Sequence, residues 1–291
     1  MREDLPYSFS VLKEWYTNCY IDKGAECSAS RSFSICHSDN KEKAVLLVHG
    51  YAGYPGELIT PAEALFLSGY DAFVPRLPGN GTTGDDFLSS SSSDWLTLCR
   101  NALDDLFRRY EKVSIVGHSM GGAISLIMAS EYPQLNRVVS VCPAIVVNGL
   151  DDKTVSGLKL IAKVKKRIKQ DWHSDSEYKM HYENAPCDDE YLGKEYWSYM
   201  FPKEIIELDK IAKEAKESIK SIRVATLVIR AGNDALVPHS AIEYIKENNS
   251  KIKVVTIENA THYIYYDKVD GTEEKAIEET VAFLNSNKSE I

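Results

Sequence analysis

Cysteine is sparse and unpaired in this chain. Cys19, Cys27, Cys36, Cys99, Cys142 and Cys187 are the six cysteines among 291 residues. They form no C-x-x-C pair and stand at no metal-ligand spacing with histidine, so a zinc-ribbon site is excluded. At this length a disulfide framework is unnecessary, and free, mostly buried thiols are expected. Long apolar runs are also missing, since none approaches the roughly 18 residues a membrane span needs. Residues 1–6, MREDLP, lack the apolar core and cleavage site of a secretory leader, and the expectation is a soluble, cytoplasmic protein. Basic residues are outnumbered, 34 Lys and Arg against 43 Asp and Glu for a net charge of −9. That balance disfavours nucleic acid as a partner. There is no internal repeat, and nothing sets an oligomeric state.

What is present is 44% hydrophobic residues, enough for one substantial core. Strand-like runs recur at residues 32–36, 44–48, 71–74, 113–116, 137–141, 224–229 and 253–257, with helical stretches at 61–68, 95–110, 119–131, 241–247 and 273–284. Several strands read as continuous apolar runs, as central parallel strands covered on both faces do. The alternation predicts an α/β fold, a mostly parallel central sheet with helices on both faces. We expect one domain over residues 1–291. Residues 147–221 are too long for a βα connection and read as an inserted helical cap over the sheet's C-terminal edge, with helices at 154–170 and 202–219. Residues 89–93, a serine run, read as a mobile loop, and a polar lead of about thirty residues precedes the first strand.

The most informative stretch is Val113-Ser114-Ile115-Val116-Gly117-His118-Ser119-Met120-Gly121-Gly122. A β-branched run feeds a serine flanked by glycines and then a helix. Gly117 and Gly121 permit a sharp strand-to-helix turn that lifts the Ser119 hydroxyl clear of the sheet, at the positive end of the next helix.

A serine hydroxyl is a weak nucleophile and needs a base, itself oriented by an acid. Asp234 follows the strand-like run 224–229 in Gly232-Asn233-Asp234, and His262 follows 253–257. Both emerge at strand ends, where reacting groups collect. The order serine, acid, histidine is that of the α/β-hydrolases. Val48-His49-Gly50-Tyr51 ends an early strand in a glycine-rich turn, so the N–H groups of Tyr51 and Met120 are candidate donors to an oxyanion. His49 reads as a shaper of that turn and His118 as a framework residue.

Together, His49-Gly50-Tyr51, Gly117-x-Ser119-x-Gly121, Gly232-Asn233-Asp234 with Val237-Pro238, and His262 resemble the α/β-hydrolase superfamily, specifically its bacterial monoacylglycerol lipase and carboxylesterase branch. The resemblance covers about residues 30 to 285. It implies Ser119, Asp234 and His262 as catalytic triad, Tyr51 and Met120 as oxyanion hole, and neither metal nor organic cofactor. The sequence departs from such esterases at Asn80, where a G-H-G turn often has histidine.

The cap interval holds two contrasting stretches. Lysines at 153, 159, 163, 165, 166 and 169, with Arg167, crowd one segment whose apolar residues are Val155, Leu158, Ile161, Val164 and Ile168. It reads as a solvated face over a cap core, with weak contact to a lipid interface as the alternative. Residues 191–201 include Tyr191, Tyr196, Trp197, Tyr199, Met200 and Phe201, which fill the cap core or line an acyl or aryl pocket. Trp197, Tyr196 and Tyr199 are the substrate-binding candidates. The expected activity is hydrolysis of small-molecule esters through an acyl-enzyme. Monoacylglycerols or short-to-medium-chain esters come first, hydroxycinnamoyl esters second and acyl thioesters third. The rival class is a ligand-binding protein with vestigial turnover.

Overall fold

A computed structural model describes residues 25–37, 42–173 and 185–286. The polar lead up to residue 24, with Cys19, lies outside them. The strands of the main sheet are β1 (Phe33–Ile35), β2 (Lys43–Val48), β3 (Asp71–Val74), β4 (Lys112–His118), β5 (Val138–Val141), β8 (Thr226–Ala231) and β9 (Lys253–Ile257). Their spatial order is β1-β3-β2-β4-β5-β8-β9, all parallel except β1, which runs antiparallel to β3 at one edge. A two-strand ladder, β6 (Ile168–Lys169) with β7 (Tyr199–Met200), lies apart from it.

The helices are α1 (Ile59–Leu67), α2 (Gly84–Ser89), α3 (Ser92–Arg109), α4 (Met120–Glu131), α5 (Asp152–Ile161), α6 (Ala185–Leu192), α7 (Pro202–Ser218), α8 (His239–Asn248) and α9 (Thr272–Asn285). Side chains alternate across β2, so Ala44, Leu46 and Val48 join one apolar layer with α3, α4, α7 and α8, while Val45 and Leu47 join the other with α1 and α9. This two-sided burial is why β2 reads as an unbroken apolar run. α4 is buried along nearly its whole length, packed between the sheet and α7.

Two readings are corrected. Residues 154–170 are not one helix: α5 ends at Ile161, the chain turns, and Ile168–Lys169 becomes β6. Lys163, Lys165, Lys166 and Arg167 would crowd like charges on successive turns of a longer helix. The serine run 89–93 is no free loop. Ser89 closes α2, the Ser91 hydroxyl accepts the first-turn N–H of Asp94, and buried Ser92 donates to Glu207 Oε2 at 2.6 Å. Serines here act as helix caps rather than as a flexible tract.

Between β5 and β8 lie α5, β6, α6, a π-turn (Gly193–Trp197), β7 and α7. This insertion is tied to the sheet-bearing part at named points. The Tyr196 hydroxyl donates to Gly79 O at 3.0 Å and Lys203 Nζ to Leu88 O at 2.7 Å. No helix among the described residues is long and apolar enough to cross a membrane.

Candidate active site

β4 delivers the chain into Ser119 with φ 56° and ψ −115°, a region that costs a non-glycine residue on the order of 1–3 kcal/mol. The turn is held by Ser119 N–H donating to Val141 O at 2.9 Å, and by Ala144 N–H donating to Ser119 O at 3.0 Å. Its tightness explains the two glycines. A Cβ on Gly117 would lie 1.9 Å from Gly121 O, and one on Gly121 2.0 Å from Val48 O.

Asp234 stands in the loop after β8, where Oδ1 accepts the N–H groups of Leu236 and Val237 at 2.9 and 2.8 Å. His262 follows β9 and is buried. Its Nδ1 lies 2.8 Å from Asp234 Oδ2, and its Nε2 lies 2.9 Å from Ser119 Oγ. A carboxylate only accepts, so the proton belongs on Nδ1 and the Nε2 lone pair faces the serine. Burial pushes the Asp234 carboxyl up, but the hydrogen bond and charge of His262, with the two N–H groups, outweigh it and hold the carboxyl below its usual range. Asp234 therefore stays ionised beside the imidazole.

Behind this line stand two supporting groups. His118 Nε2–H donates to the His262 carbonyl at 2.8 Å, and burial, then the nearby His262, push its imidazole down to about 3. It is a neutral brace. Cys142, at the end of β5, has its thiol within 4.8 Å of ligand atoms of Asp234 and His262. Burial and the Asp234 charge raise that thiol well above its usual range, so it stays protonated and uncharged. Sequence reasoning missed this contact because it depends on β5 lying next to β8.

Gly50 approaches Ser119 closely, since a Cβ there would sit 3.3 Å from Ser119 Cβ. Tyr51 follows it. Met120 opens α4, so its N–H is a first-turn donor without an intrahelical acceptor. His49 Nε2 accepts Leu77 N–H at 3.0 Å, which leaves Nδ1–H to donate to Gly50 O at 2.9 Å. Burial lowers His49 to about 4 and keeps it neutral. Asn80, where the sequence departs from the esterase pattern, is buried. Its side-chain amide donates to Pro78 O and its backbone carbonyl accepts Arg76 Nη1–H, shaping a turn.

Ser119 and His262 lie in the wall of a cavity of about 530 Å³ shared with the insertion. Trp197, Tyr196 and Tyr199 all line it, each held differently. Trp197 Nε1–H donates to Ala52 O at 3.1 Å, Tyr196 turns its hydroxyl into residues 79–83, and the Arg167 guanidinium lies 4.8 Å over the Tyr199 ring. Trp172 and Tyr54, which the sequence did not single out, add rings 5.6 and 6.0 Å from that of Trp197. Glu57 also lines the cavity. Burial raises its carboxyl to about 8, against opposing hydrogen bonds from the backbone of Gly50 and Tyr54 and from the Tyr266 side chain.

A parallel sheet in this order, with serine, histidine and aspartate in one hydrogen-bonded line at its strand ends, defines an α/β-hydrolase. Within that superfamily the chain belongs to the family described as serine aminopeptidase S33, whose profile matches residues 39–269. It is 23% identical to the thermostable monoacylglycerol lipase of Bacillus sp. (strain H-257) over 233 residues, covering 79% of this chain and 87% of that one. A structure described under LipS and LipT, metagenome-derived lipolytic enzymes, matches with a TM-score of 0.72 at 22% identity, over 89% of this chain and 98% of the other. The ferulic acid complex of Est1E from Butyrivibrio proteoclasticus matches with 0.63 at 16%, over 87% and 93%.

Proposed function

We propose that the protein is a serine hydrolase of carboxylic esters. The carrying observation is the continuous line from Asp234 through His262 to Ser119 Oγ at the wall of an aromatic cavity. His262 takes the serine proton as Oγ attacks the ester carbonyl. The N–H groups of Tyr51 and Met120 hold the oxyanion, and His262 returns the proton to the leaving alcohol. Water then attacks the acyl-enzyme by the same route. This chemistry draws only on side chains and backbone, so neither metal nor organic cofactor is invoked.

The insertion, residues 147–221, acts as a cap whose aromatic wall receives the apolar part of the substrate, with Trp197 and Tyr199 in contact and Tyr196 as anchor. A monoacylglycerol or another short-to-medium-chain acyl ester is the substrate class, in line with the monoacylglycerol lipase relative. The rings of Trp172, Trp197 and Tyr54 favour a second reading, a hydroxycinnamoyl ester, in line with the ferulic acid bound to Est1E. Free thiols at Cys27, Cys36, Cys99, Cys142 and Cys187 suit a reducing compartment such as the cytoplasm.

The cap also presents a lipid-facing rim. Leu160 and Val164 are 66% and 81% exposed, among the exposed lysines Lys159, Lys163, Lys165 and Lys166. Each lysine near an anionic bilayer is worth about 1 kcal/mol. The two readings are separated by turnover of p-nitrophenyl esters of increasing chain length, with a monoacylglycerol, methyl ferulate and an acyl thioester alongside. The expected result is ester turnover that Ser119→Ala abolishes. No turnover of any of them would favour a ligand-binding protein.

A further inference from the structure

Glu57 belongs to no step above, yet it sits where two working loops meet. It lies in the 3₁₀ turn Pro55–Leu58, directly after the loop that carries Tyr51. The backbone of Gly50 and Tyr54 on that loop and the Tyr266 side chain act on its carboxyl as hydrogen-bond donors, while Oε2 is buried with no partner of its own among the described residues. Tyr266, four residues beyond His262, closes the short turn Ile264–Tyr266. The loop is shaped to admit this carboxyl, because a Cβ on Gly53 would lie 2.5 Å from Glu57 Oε1. Behind the His262 loop, Asp267 performs the matching task by accepting Thr261 N–H at 2.6 Å and the Thr261 hydroxyl at 3.0 Å. Glu57 thus braces the histidine loop from the cavity side, as Asp267 does from behind, and it also reaches the oxyanion loop.

We propose that Glu57 is a positioning residue that ties the oxyanion loop to the His262 loop, keeping the Tyr51 N–H and the imidazole in register around Ser119. This rests on the acyl-transfer reading of the site. The groups against the carboxyl are the backbone of Gly50 and Tyr54 on its own side and the Tyr266 side chain on the opposite loop, with His262 and Tyr263 in the same cavity wall. His49 is held neutral, so no fixed positive charge there offsets an ionised Glu57. A carboxylate so close to the oxyanion loop opposes the negative charge that develops on the substrate oxygen. The neutral acid maintains the tie without that penalty, and its proton is held up to about 8.

The test compares wild type, Glu57→Gln and Glu57→Ala as full chains, reading the rate of fluorophosphonate labelling of Ser119 by intact mass from about pH 6 to about pH 9.5, with kcat and KM for p-nitrophenyl butyrate. Glu57→Ala is expected to label about tenfold more slowly at pH 7, with the loss in kcat and little change in KM. Glu57→Gln, which like the neutral acid is uncharged and keeps one acceptor oxygen, should restore the rate to within about threefold. The wild type should slow by about fivefold or more on the alkaline side, and Glu57→Gln should not. Equal labelling of wild type and Glu57→Ala, or the same alkaline profile in wild type and Glu57→Gln, overturns this inference alone. No labelling of the wild type overturns the acyl-transfer reading and the inference with it. Should Glu57→Ala fail to fold, the Glu57→Gln profile decides.

Discussion

In the proposed mechanism Ser119, His262 and Asp234 act as one unit, because Nε2 must accept the serine proton and is free to do so only while Nδ1–H is directed at Asp234. Ser119→Ala and His262→Ala should therefore each lower kcat by on the order of 10⁴-fold or more, and the double variant should lose little beyond either. Additive losses, measured by burst-corrected kinetics, would contradict this. Asp234 and Glu57 make opposite contributions to stability. Asp234 is held below its ordinary range, so its contribution is complete above the unfolded carboxylate range and is lost as pH falls through the folded value. Glu57 is raised to about 8, so the folded state retains a proton that the unfolded chain releases, and its contribution falls as pH rises from the unfolded carboxylate range to about 8. Urea midpoints of Glu57→Gln relative to wild type should consequently rise across that window, and a constant difference would show that Glu57 ionises normally.

Elements set those residues in place, and two glycines separate backbone necessity from local propensity. Gly121 cannot take a Cβ because the obstacle 2.0 Å away is the carbonyl of Val48 in the neighbouring strand. Gly121→Ala should cost about 3 kcal/mol or more by urea unfolding. Gly157 lies inside α5 with nothing within 4 Å of an added Cβ, so Gly157→Ala should stabilise by about 0.5–1 kcal/mol. The central strands were legible because burial on both faces writes a continuous apolar run, and Asp71–Val74 and Lys253–Ile257 fall where the sequence placed them. The elbow was legible for a similar reason, since a turn this tight admits only glycine two residues either side of Ser119. The antiparallel direction of β1 left no such mark, because an edge strand of three residues has the same composition either way. The end of α5 at Ile161 was hidden too, since apolar spacing continues through Val164 and Ile168 although the chain has turned. Glu57 and Cys142 were illegible for a different reason. Each acts across strands or loops distant in sequence, and a lone carboxyl or thiol in a linear reading carries no sign of what the sheet brings beside it.

At the scale of the whole molecule, the segment between β5 and β8 is fastened to the sheet-bearing part through Trp197 to Ala52 in the cavity wall and through Lys203 and Glu207 to residues 88–92. The proposed substrate role makes this wall a selector by shape. Trp197→Ala should reduce kcat/KM for long-chain or aryl esters relative to acetate esters, because an acetyl group buries little area against the ring and a longer group loses roughly 25 cal/mol per Å². A uniform loss over all esters would place Trp197 in the packing of the insertion instead. The exposed rim should bind membranes separately from chemistry. Leu160→Ser with Val164→Ser should weaken sedimentation with phosphatidylglycerol-containing vesicles while hydrolysis of a soluble acetate ester is unchanged, and equal sedimentation of variant and wild type would remove the rim from that role. The central claim is that Ser119 carries the acyl group. Its most direct measurement is intact-mass analysis after mixing the full chain with a slowly deacylated p-nitrophenyl ester, with peptide mapping of the adduct. One acyl mass per chain is expected on the peptide bearing Ser119, accompanied by a stoichiometric burst of nitrophenol, and neither in Ser119→Ala. An adduct on another residue, or turnover that survives in Ser119→Ala, would contradict it.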